Sequence, residues 1–436
     1  MSSNKEKRSP LEVLGPGLVT GAADDDPSGI GTYSQVGAQF GYGLAWTMFF
    51  GFPLLASIQA ICARIGATTG RGIAQNLRRY YPRWVLRIAL GLLLIANVIN
   101  IGADLGAMGA VLALIVPGPV LLYTALFGLI SVGLEVFLSY SRYERILKWT
   151  TLSLFAYVGV VFVADVPWET ALLDIVVPHF SFDRDHAMAL VAIFGTTISP
   201  YLFFWQAGQE VEEQHRRHIK PLHVSPRRAG QELKRIRTDT LVGMAFSHLT
   251  ALFIIVATAA TLNANGVTDI QSAAQAAEAL RPIAGDFAFA LFAVGIIGTG
   301  LLAVPILAGS AAYAMSETFG WVEGLDRKPR EAKAFYGAIA AATLGGVALN
   351  GVNVDPMRAL YWTAVINGLL APPLMVVTML IARNRKVMGD LAISGWLEFG
   401  GWLSTAVMWV VAAVFLLSCR DRSARSRAGH RPDLPR

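Results

Sequence analysis

Long apolar runs dominate this chain of 436 residues, and they leave few folds open to it. Several of the runs reach about 20 residues, the length of an α-helix that crosses a lipid bilayer. Only 15% of the residues are charged and the mean hydropathy is +0.50, whereas soluble proteins carry about 25% charged residues. The pattern predicts an all-α polytopic membrane protein.

Eleven spans are predicted from apolar runs of about 20 residues, and the first and sixth of them are interrupted. The spans form two blocks of five helices followed by one more. The predicted segments are 1–10, a polar N-terminal tail; 11–165, the first five-helix block; 166–186, an external loop; 187–382, the second five-helix block; 383–419, a loop and the eleventh helix; and 420–436, a basic C-terminal tail.

Basic residues concentrate in alternate loops, and this bias predicts the orientation. The connections 64–87, 215–237 and 327–333 are rich in Lys and Arg, whereas 165–186 is rich in Asp and Glu. Basic loops stay in the cytoplasm. The N-terminus is therefore predicted to be cytoplasmic, in a bacterial-type inner membrane. The tail 420–436 is also basic, although eleven spans would place it outside.

Several classes of protein are excluded by the remaining composition. The net charge of +6 comes from the basic loops and not from a nucleic-acid-binding surface. Cys62 and Cys419 lie far apart and give neither a disulfide framework nor the spacing of metal ligands. The sequence contains no nucleophile–base set and no phosphate loop. No enzyme activity and no cofactor are predicted, and the expected partners are membrane lipid and a transported cation.

The first apolar run holds the hexapeptide Asp24-Asp25-Asp26-Pro27-Ser28-Gly29. A carboxylate at membrane depth costs roughly 2.5–3.5 kcal/mol on insertion scales, so three in a row predict a function. Pro and Gly both interrupt helices, and a charged helix break inside a membrane is typical of an ion site in a transporter. Asp26 lies at the break and is the predicted anchor. On a continuous helix the three side chains would diverge by about 100° per residue, so they share one ion only if the backbone is unwound.

A second break is predicted in the sixth span, where Pro200 follows small polar residues within 195–201. The prolines are 200 − 27 = 173 residues apart, and each lies in the first helix of a five-helix block. Matched broken helices indicate two inverted repeats with a binding site between them. Unwinding exposes backbone carbonyls, which a bilayer tolerates only where they line a cavity or bind an ion.

Four stretches of the chain resemble the Nramp family of divalent-metal transporters. The resemblance implies a LeuT-type fold of two inverted five-helix repeats plus an eleventh helix. The stretches are Gly15-Pro16-Gly17 with Asp26-Pro27 and Gly37 to Tyr42 in the first span, Ala63 to Gly70 at the end of the second, Gly102 to Leu105 in the third, and Gly195 to Tyr201 in the sixth.

The chain departs from the family pattern at four positions. Gly29 stands in place of the family's Asn ligand, and Ser199 in place of its Met. Tyr201 replaces a His, and Ala107 replaces the Glu that follows Asp104 by three residues. These losses resemble the Nramp-related magnesium transporters, which lack the soft ligand and much of the proton route. Asp104 is then either a proton relay or a structural hydrogen-bond partner.

The residues at the breaks, together with the resemblance, predict a set of site residues. The predicted metal ligands are the carboxylate of Asp26, the carbonyls of Ala23 and Thr196, the hydroxyl of Ser199, and Asp25 or Asp24. The residues predicted to shape the breaks and the cavity are Pro27, Gly29, Pro200, Tyr201, Gln206 and Asn367. Asp26 has an alternative role as a cap on the second half of the broken helix. Glu210, Glu212 and Glu213 form either an acidic exit funnel or a solvated helix end.

The predicted function is import of divalent cations by alternating access, with Mg²⁺ favoured and Mn²⁺ second. Carboxylate, hydroxyl, carbonyl and water oxygens suit these ions, whereas a thioether favours softer metals. Strict proton coupling is not expected. One alternative is a proton-coupled Mn²⁺/Fe²⁺ importer of the Nramp type. The other is an organic-solute carrier of the same fold, whose carboxylate substrate three aspartates would repel.

Overall fold

The computed structural model describes residues 15–137, 154–181, 183–325, 327–351 and 355–428, and most of them are helical. The first half forms α1 (Pro16–Asp24), α2 (Pro27–Phe40), α3 (Trp46–Thr69), α4 (Ile73–Tyr80), α5 (Arg83–Ile115), α6 (Val120–Phe137), α7 (Phe155–Val163) and α8 (Trp168–Val176). The second half forms α9 (Arg184–Thr197), α10 (Pro200–Arg216), α11 (Ala229–Thr261), α12 (Ala273–Glu278), α13 (Arg281–Ala284), α14 (Ala288–Phe319), α15 (Lys333–Leu349), α16 (Pro356–Arg383), α17 (Arg385–Met388) and α18 (Gly395–Ala428).

Eight helices in the described part of the chain are long and apolar enough to cross a membrane, if α9 and α10 are taken together. The others of the eight are α3, α5, α6, α11, α14, α16 and α18. The first predicted span corresponds to α1 and α2, and the ninth corresponds to α15, which has 17 residues. The predicted fifth span, 146–165, begins outside the described residues, and α7 covers its later part.

Proline sets the position of both helix breaks. Pro27 and Pro200 each occupy the first position of a half-helix, where the missing N–H costs nothing. The residue before a proline is pushed out of the helical region. Accordingly Asp26 has ψ 170° and Ser199 has ψ 137°, both extended. The predicted interruption of the first and sixth spans is confirmed.

The broken helices pack tightly against helices of both repeats. Helices α1 and α2 lie against α11, while α9 packs on α16 and α10 on α3. A Cβ atom added at Gly21 would lie 2.2 Å from the carbonyl oxygen of Gly243 in α11. One added at Gly195 in α9 would lie 2.0 Å from the carbonyl oxygen of Ala364 in α16. Each crossing therefore requires glycine, because backbone meets backbone there.

The loop predicted over 166–186 contains the short helix α8, which the sequence did not predict. Ala171 is its buried residue, whereas the apolar Leu172, Leu173 and Val176 are exposed. The helix packs on α3. The Phe180 ring, just after the helix, lies 4.9 Å from the Trp46 ring at the start of α3, so this segment lies at the end of α3 opposite the 64–87 connection.

Candidate metal-binding site

Asp26 lies at the centre of the first break and is held from two directions. Its Oδ1 accepts hydrogen bonds from the Gly29 N–H and the Ser28 hydroxyl, both at 2.7 Å. Its Oδ2 accepts one from the Asn100 amide at 3.1 Å. The side chain thus caps α2, which was the alternative role. A carboxylate offers about four lone-pair positions, so the capped Asp26 retains capacity for one more contact.

Asp24 and Asp25 point to a different helix from Asp26. The Ser247 hydroxyl of α11 donates to Asp24 Oδ2 at 2.5 Å and lies 3.5 Å from Asp25 Oδ1. Thr250, one turn further along α11, faces Asp25. Asp24 Oδ1 and Asp25 Oδ2 have no hydrogen-bond partner among the described residues. These two carboxylates therefore form a pair of their own, on the α11 side of the break.

The predicted carbonyl ligands already accept hydrogen bonds. The Tyr201 hydroxyl donates to the Ala23 carbonyl at 2.8 Å, which links the two breaks directly. The Ser199 hydroxyl turns back to its own helix and lies 2.8 Å from the carbonyls of both Gly195 and Thr196. A carbonyl oxygen has two lone pairs, so Ala23 and Thr196 each retain one. The Ser199 hydroxyl must rotate away from α9 to reach an ion.

Asn100 completes the site, and sequence reasoning did not single it out. It is fully buried in α5, four residues before Asp104. Its side-chain amide contacts both Asp26 and Asn367 of α16, the tenth predicted span. The Asn367 amide of α16 donates to Asn100 Oδ1 at 3.5 Å. The available signal was an amide at mid-span, which usually means an interhelical hydrogen bond. Ser247, which donates to Asp24, was missed as well.

Two other predicted residues lie at the edges of the site. Gln206 in α10 accepts a short hydrogen bond from Thr20 in α1, so it links the two broken helices below the break. Asp104 is fully buried, and its carboxylate lies towards the Ser28 N–H and the Asp26 carboxylate. Neither Asp104 oxygen has a hydrogen-bond partner among the described residues. Its two alternative roles both remain predictions.

The break is closed to solvent on both sides. Asp24, Asp25 and Asp26 are 1%, 1% and 2% exposed. In the described ranges no Lys or Arg forms an ion pair with them, and no three His, Cys, Asp or Glu side chains converge as a metal cage. The site therefore supplies separate carboxylates and neutral oxygens. Such a donor set suits an ion that keeps part of its water, since Mg²⁺ is usually held by one or two carboxylates.

A family model described as natural resistance-associated macrophage protein-like matches residues 17–418, which is most of the chain. The chain belongs to the Nramp family. A relative named divalent metal cation transporter MntH, from Klebsiella pneumoniae (strain 342), is 24% identical over 95% of this chain and 97% of its own length. Another of that name, from Acidiphilium cryptum (strain JF-5), is 25% identical over 89% of this chain and 86% of its own length.

Solved structures agree on the Nramp fold. The Eremococcus coleocola manganese transporter superposes with a TM-score of 0.74 at 16% identity, covering 100% of this chain and 91% of its own. The protein MhsT in complex with L-phenylalanine superposes with a TM-score of 0.58 at 14% identity, covering 94% of this chain and 98% of its own. The predicted LeuT-type fold is confirmed. Assignment to the magnesium branch of the Nramp family remains a prediction.

This Nramp protein also carries a charge network where α1, α10 and α11 meet. Asp239 of α11 accepts hydrogen bonds from the N–H groups of Gly15, Gly17 and Leu18, at 2.8, 2.7 and 3.2 Å. Arg235 precedes Asp239 by one turn, and its Nη1 lies 4.0 Å from Asp239 Oδ2. Its Nη2 lies 2.6 Å from Glu210 Oε2 of α10. This network fastens the start of α1 to its neighbours.

The three glutamates at the end of α10 belong to the same region, and the predicted solvated helix end is wrong for Glu210. That side chain is fully buried and paired with Arg235. Glu213 pairs with Arg216 at 2.9 Å, and Glu212 accepts a hydrogen bond from the Tyr313 hydroxyl at 2.7 Å. The carboxylates are therefore committed to structural contacts in this closed arrangement.

Proposed function

We propose that this protein imports divalent cations across a bacterial inner membrane, with its N-terminus in the cytoplasm, Mg²⁺ as preferred cargo and Mn²⁺ second. The observation that carries the proposal is the helix break, where Asp26 and neutral oxygens converge and position 199 holds a serine in place of the thioether that the resemblance implies. Asp24 and Asp25 are additional ligands or attract the ion. The names of the relatives, divalent metal cation transporters, support the same class of cargo.

The donor atoms favour a hard and partly hydrated ion. Ser199 and Gly29 occupy positions where the resemblance implies Met and Asn, so the oxygen donors are smaller and the soft ligand is absent. Mg²⁺ dehydrates reluctantly and is usually held through one or two carboxylates with water retained. The Asn367–Asn100–Asp26 chain supports this reading, because it fixes Asp26 without neutralising its charge.

Mn²⁺ is the second candidate cargo. Oxygen ligands suit Mn²⁺ as well as Mg²⁺, and a solved structure with the same fold is named a manganese transporter. The test is uptake into proteoliposomes under competition by Mg²⁺, Mn²⁺, Ca²⁺ and Cd²⁺. We expect Mg²⁺ and Mn²⁺ to compete and Cd²⁺ to compete weakly. Transport of Mn²⁺ with no Mg²⁺ uptake or competition would overturn the preference for Mg²⁺.

Uptake is expected to be nearly independent of a pH gradient. A divalent cation gains about 4.6 kcal/mol per 100 mV from a membrane potential that is negative inside, because each charge gains about 2.3 kcal/mol. This driving force needs no proton, and the positions that the resemblance links to proton movement hold Tyr201 and Ala107. The measurement is Mg²⁺ influx at fixed potential with and without a pH gradient. A stoichiometric proton current accompanying Mg²⁺ would contradict the proposal.

Restoring a thioether at the second break should admit softer metals. In Ser199→Met we expect Cd²⁺ to compete about tenfold more tightly than in the wild type, because sulfur prefers soft ions. The matched control is Thr197→Met, two residues earlier. The Thr197 hydroxyl donates to the Ile193 carbonyl within its own helix. Equal Cd²⁺ competition in all three proteins would show that position 199 does not face the ion.

A further inference from the structure

A groove of about 670 Å³ lies where α3, α11 and the start of α18 meet, and none of the residues that line it belongs to the candidate metal site. It opens at the end of the bundle where the loops 64–87 and 215–237 adjoin, which we call the basic end. The N–H of Leu222 donates to the Ala67 carbonyl there, so both loops lie at the same level. Most of the side chains that line the groove are apolar.

The floor of the groove is a strip of small residues on α3. Pro53, Ala56, Ser57 and Ala60 line it, and Arg64 follows at the next turn. This spacing places all five on one face of the helix. From Phe52 to Arg64 the helix advances 12 residues, or about 18 Å at 1.5 Å per residue. That length is close to one leaflet of the hydrocarbon core, which is about 15 Å thick.

Three cations stand at the mouth of the groove without acidic partners. Lys234 and Arg237 are exposed on the first turns of α11 and form no ion pair among the described residues. Two backbone carbonyls hold the Arg64 guanidinium in place. Its Nε donates to the Leu391 carbonyl at 3.0 Å and its Nη2 to the Ala392 carbonyl at 3.5 Å. Arg235, on another face of α11, is by contrast fully engaged with Glu210 and Glu232. The mouth is therefore positively charged.

The opposite wall combines an interfacial aromatic residue with further apolar surface. Trp396, at the start of α18, is 88% exposed, and Leu397 beside it faces the groove. Tryptophan is enriched where headgroups meet the acyl chains. A soluble phosphate ion would use the cations alone and would leave the apolar floor and this wall without a contact.

We propose that this groove binds an anionic glycerophospholipid, with its phosphate at Arg64, Lys234 and Arg237 and an acyl chain along the α3 floor. Basic pockets between membrane helices on the cytoplasmic side recognise such headgroups. The charge at the mouth, the one-leaflet depth and the apolar floor all complement this one ligand. The inference is independent of which metal the protein carries.

The test uses the full-length protein reconstituted in nanodiscs that contain equal amounts of phosphatidylglycerol and phosphatidylcholine. After extraction, lipid retained on the protein is measured by native mass spectrometry. We expect the wild type to retain phosphatidylglycerol. Arg64→Gln/Lys234→Gln/Arg237→Gln should retain about tenfold less or lower still, because three headgroup contacts are lost. The control, Arg83→Gln/Arg87→Gln/Lys328→Gln, removes three exposed cations that do not line the groove and should retain the wild-type amount.

Two further variants separate the possible outcomes. Ala60→Phe fills the floor and keeps every charge, so it should also lose the lipid. Lys234→Gln/Arg237→Gln changes only exposed side chains and serves if the triple variant fails to fold. Equal retention by the wild type and the charge variants would overturn the proposal. Displacement of the lipid by soluble glycerol phosphate would overturn it too, because it would indicate a site for free anions.

Discussion

Asp26→Asn is expected to lower Mg²⁺ uptake by about 100-fold or more, equivalent to about 2.8 kcal/mol at 1.4 kcal/mol per tenfold. Asparagine is as good an N-cap as aspartate, so α2 should keep its first turn while the site loses its anchoring charge. The substitution thus separates the two roles of this residue, which Asp26→Ala would remove together. Initial rates of uptake in proteoliposomes give the measurement.

Asp26→Ala extends the same experiment to stability. Losing the cap should cost about 1 kcal/mol of stability beyond the effect of Asp26→Asn, seen as a lower Tm in detergent. Asp286→Ala, at an exposed position outside the site, controls for the loss of a carboxylate. Wild-type uptake by Asp26→Asn would mean that Asp26 acts only as a cap, and it would remove the central assignment.

Asp239→Ala is expected to release the start of α1 from α11. The substitution removes the acceptor for the N–H groups of Gly15, Gly17 and Leu18 and leaves Arg235 with one carboxylate fewer. Leaving a buried N–H group without its acceptor costs about 1–3 kcal/mol, and Arg235 keeps its pairs with Glu210 and Glu232. We expect a clearly lower Tm and faster hydrogen exchange at residues 15–24.

Asp239→Asn provides a graded comparison, because its amide oxygen can still accept from part of the α1 terminus. Exchange in this variant should lie between that of the wild type and that of Asp239→Ala. Exchange elsewhere in α11, around Ile254 and Ile255, serves as the internal control. If hydrogen exchange at residues 15–24 were as slow in Asp239→Ala as in the wild type, the proposed role of Asp239 in holding α1 would be wrong.

Much of the fold was predictable because proline and apolar length act locally. Pro27 and Pro200 place the helix breaks regardless of what packs around them, so both were predicted within a residue. The direction of each carboxylate was not predictable. Consecutive Asp24, Asp25 and Asp26 sit where the backbone changes from helical to extended, and only the positions of α5 and α11 decide which neighbour each one meets.

The missed residues have the same physical explanation. Asn100 matters because its amide nitrogen in α5 lies 3.1 Å from Asp26 Oδ2 at the break between α1 and α2. The pattern of residues along α5 does not predict this contact, because the contact depends on how the helices pack. Glu210 was expected in solvent because it belongs to a run of charges at a helix end. Its partner Arg235 comes 25 residues later, and the pair forms only once α10 and α11 pack together.

The backbone contact between α1 and α11 has a mechanical consequence. Gly21 and Gly243 meet without side chains, and Gly17 approaches the backbone of Asp239 and Thr240 in the same way. Interdigitated side chains must unlock before two helices can move past each other, but bare backbones present a smooth surface. We therefore expect α1 to tilt against α11 at a low energetic cost, and the hydrogen bonds from the start of α1 to the Asp239 carboxylate to limit that tilt.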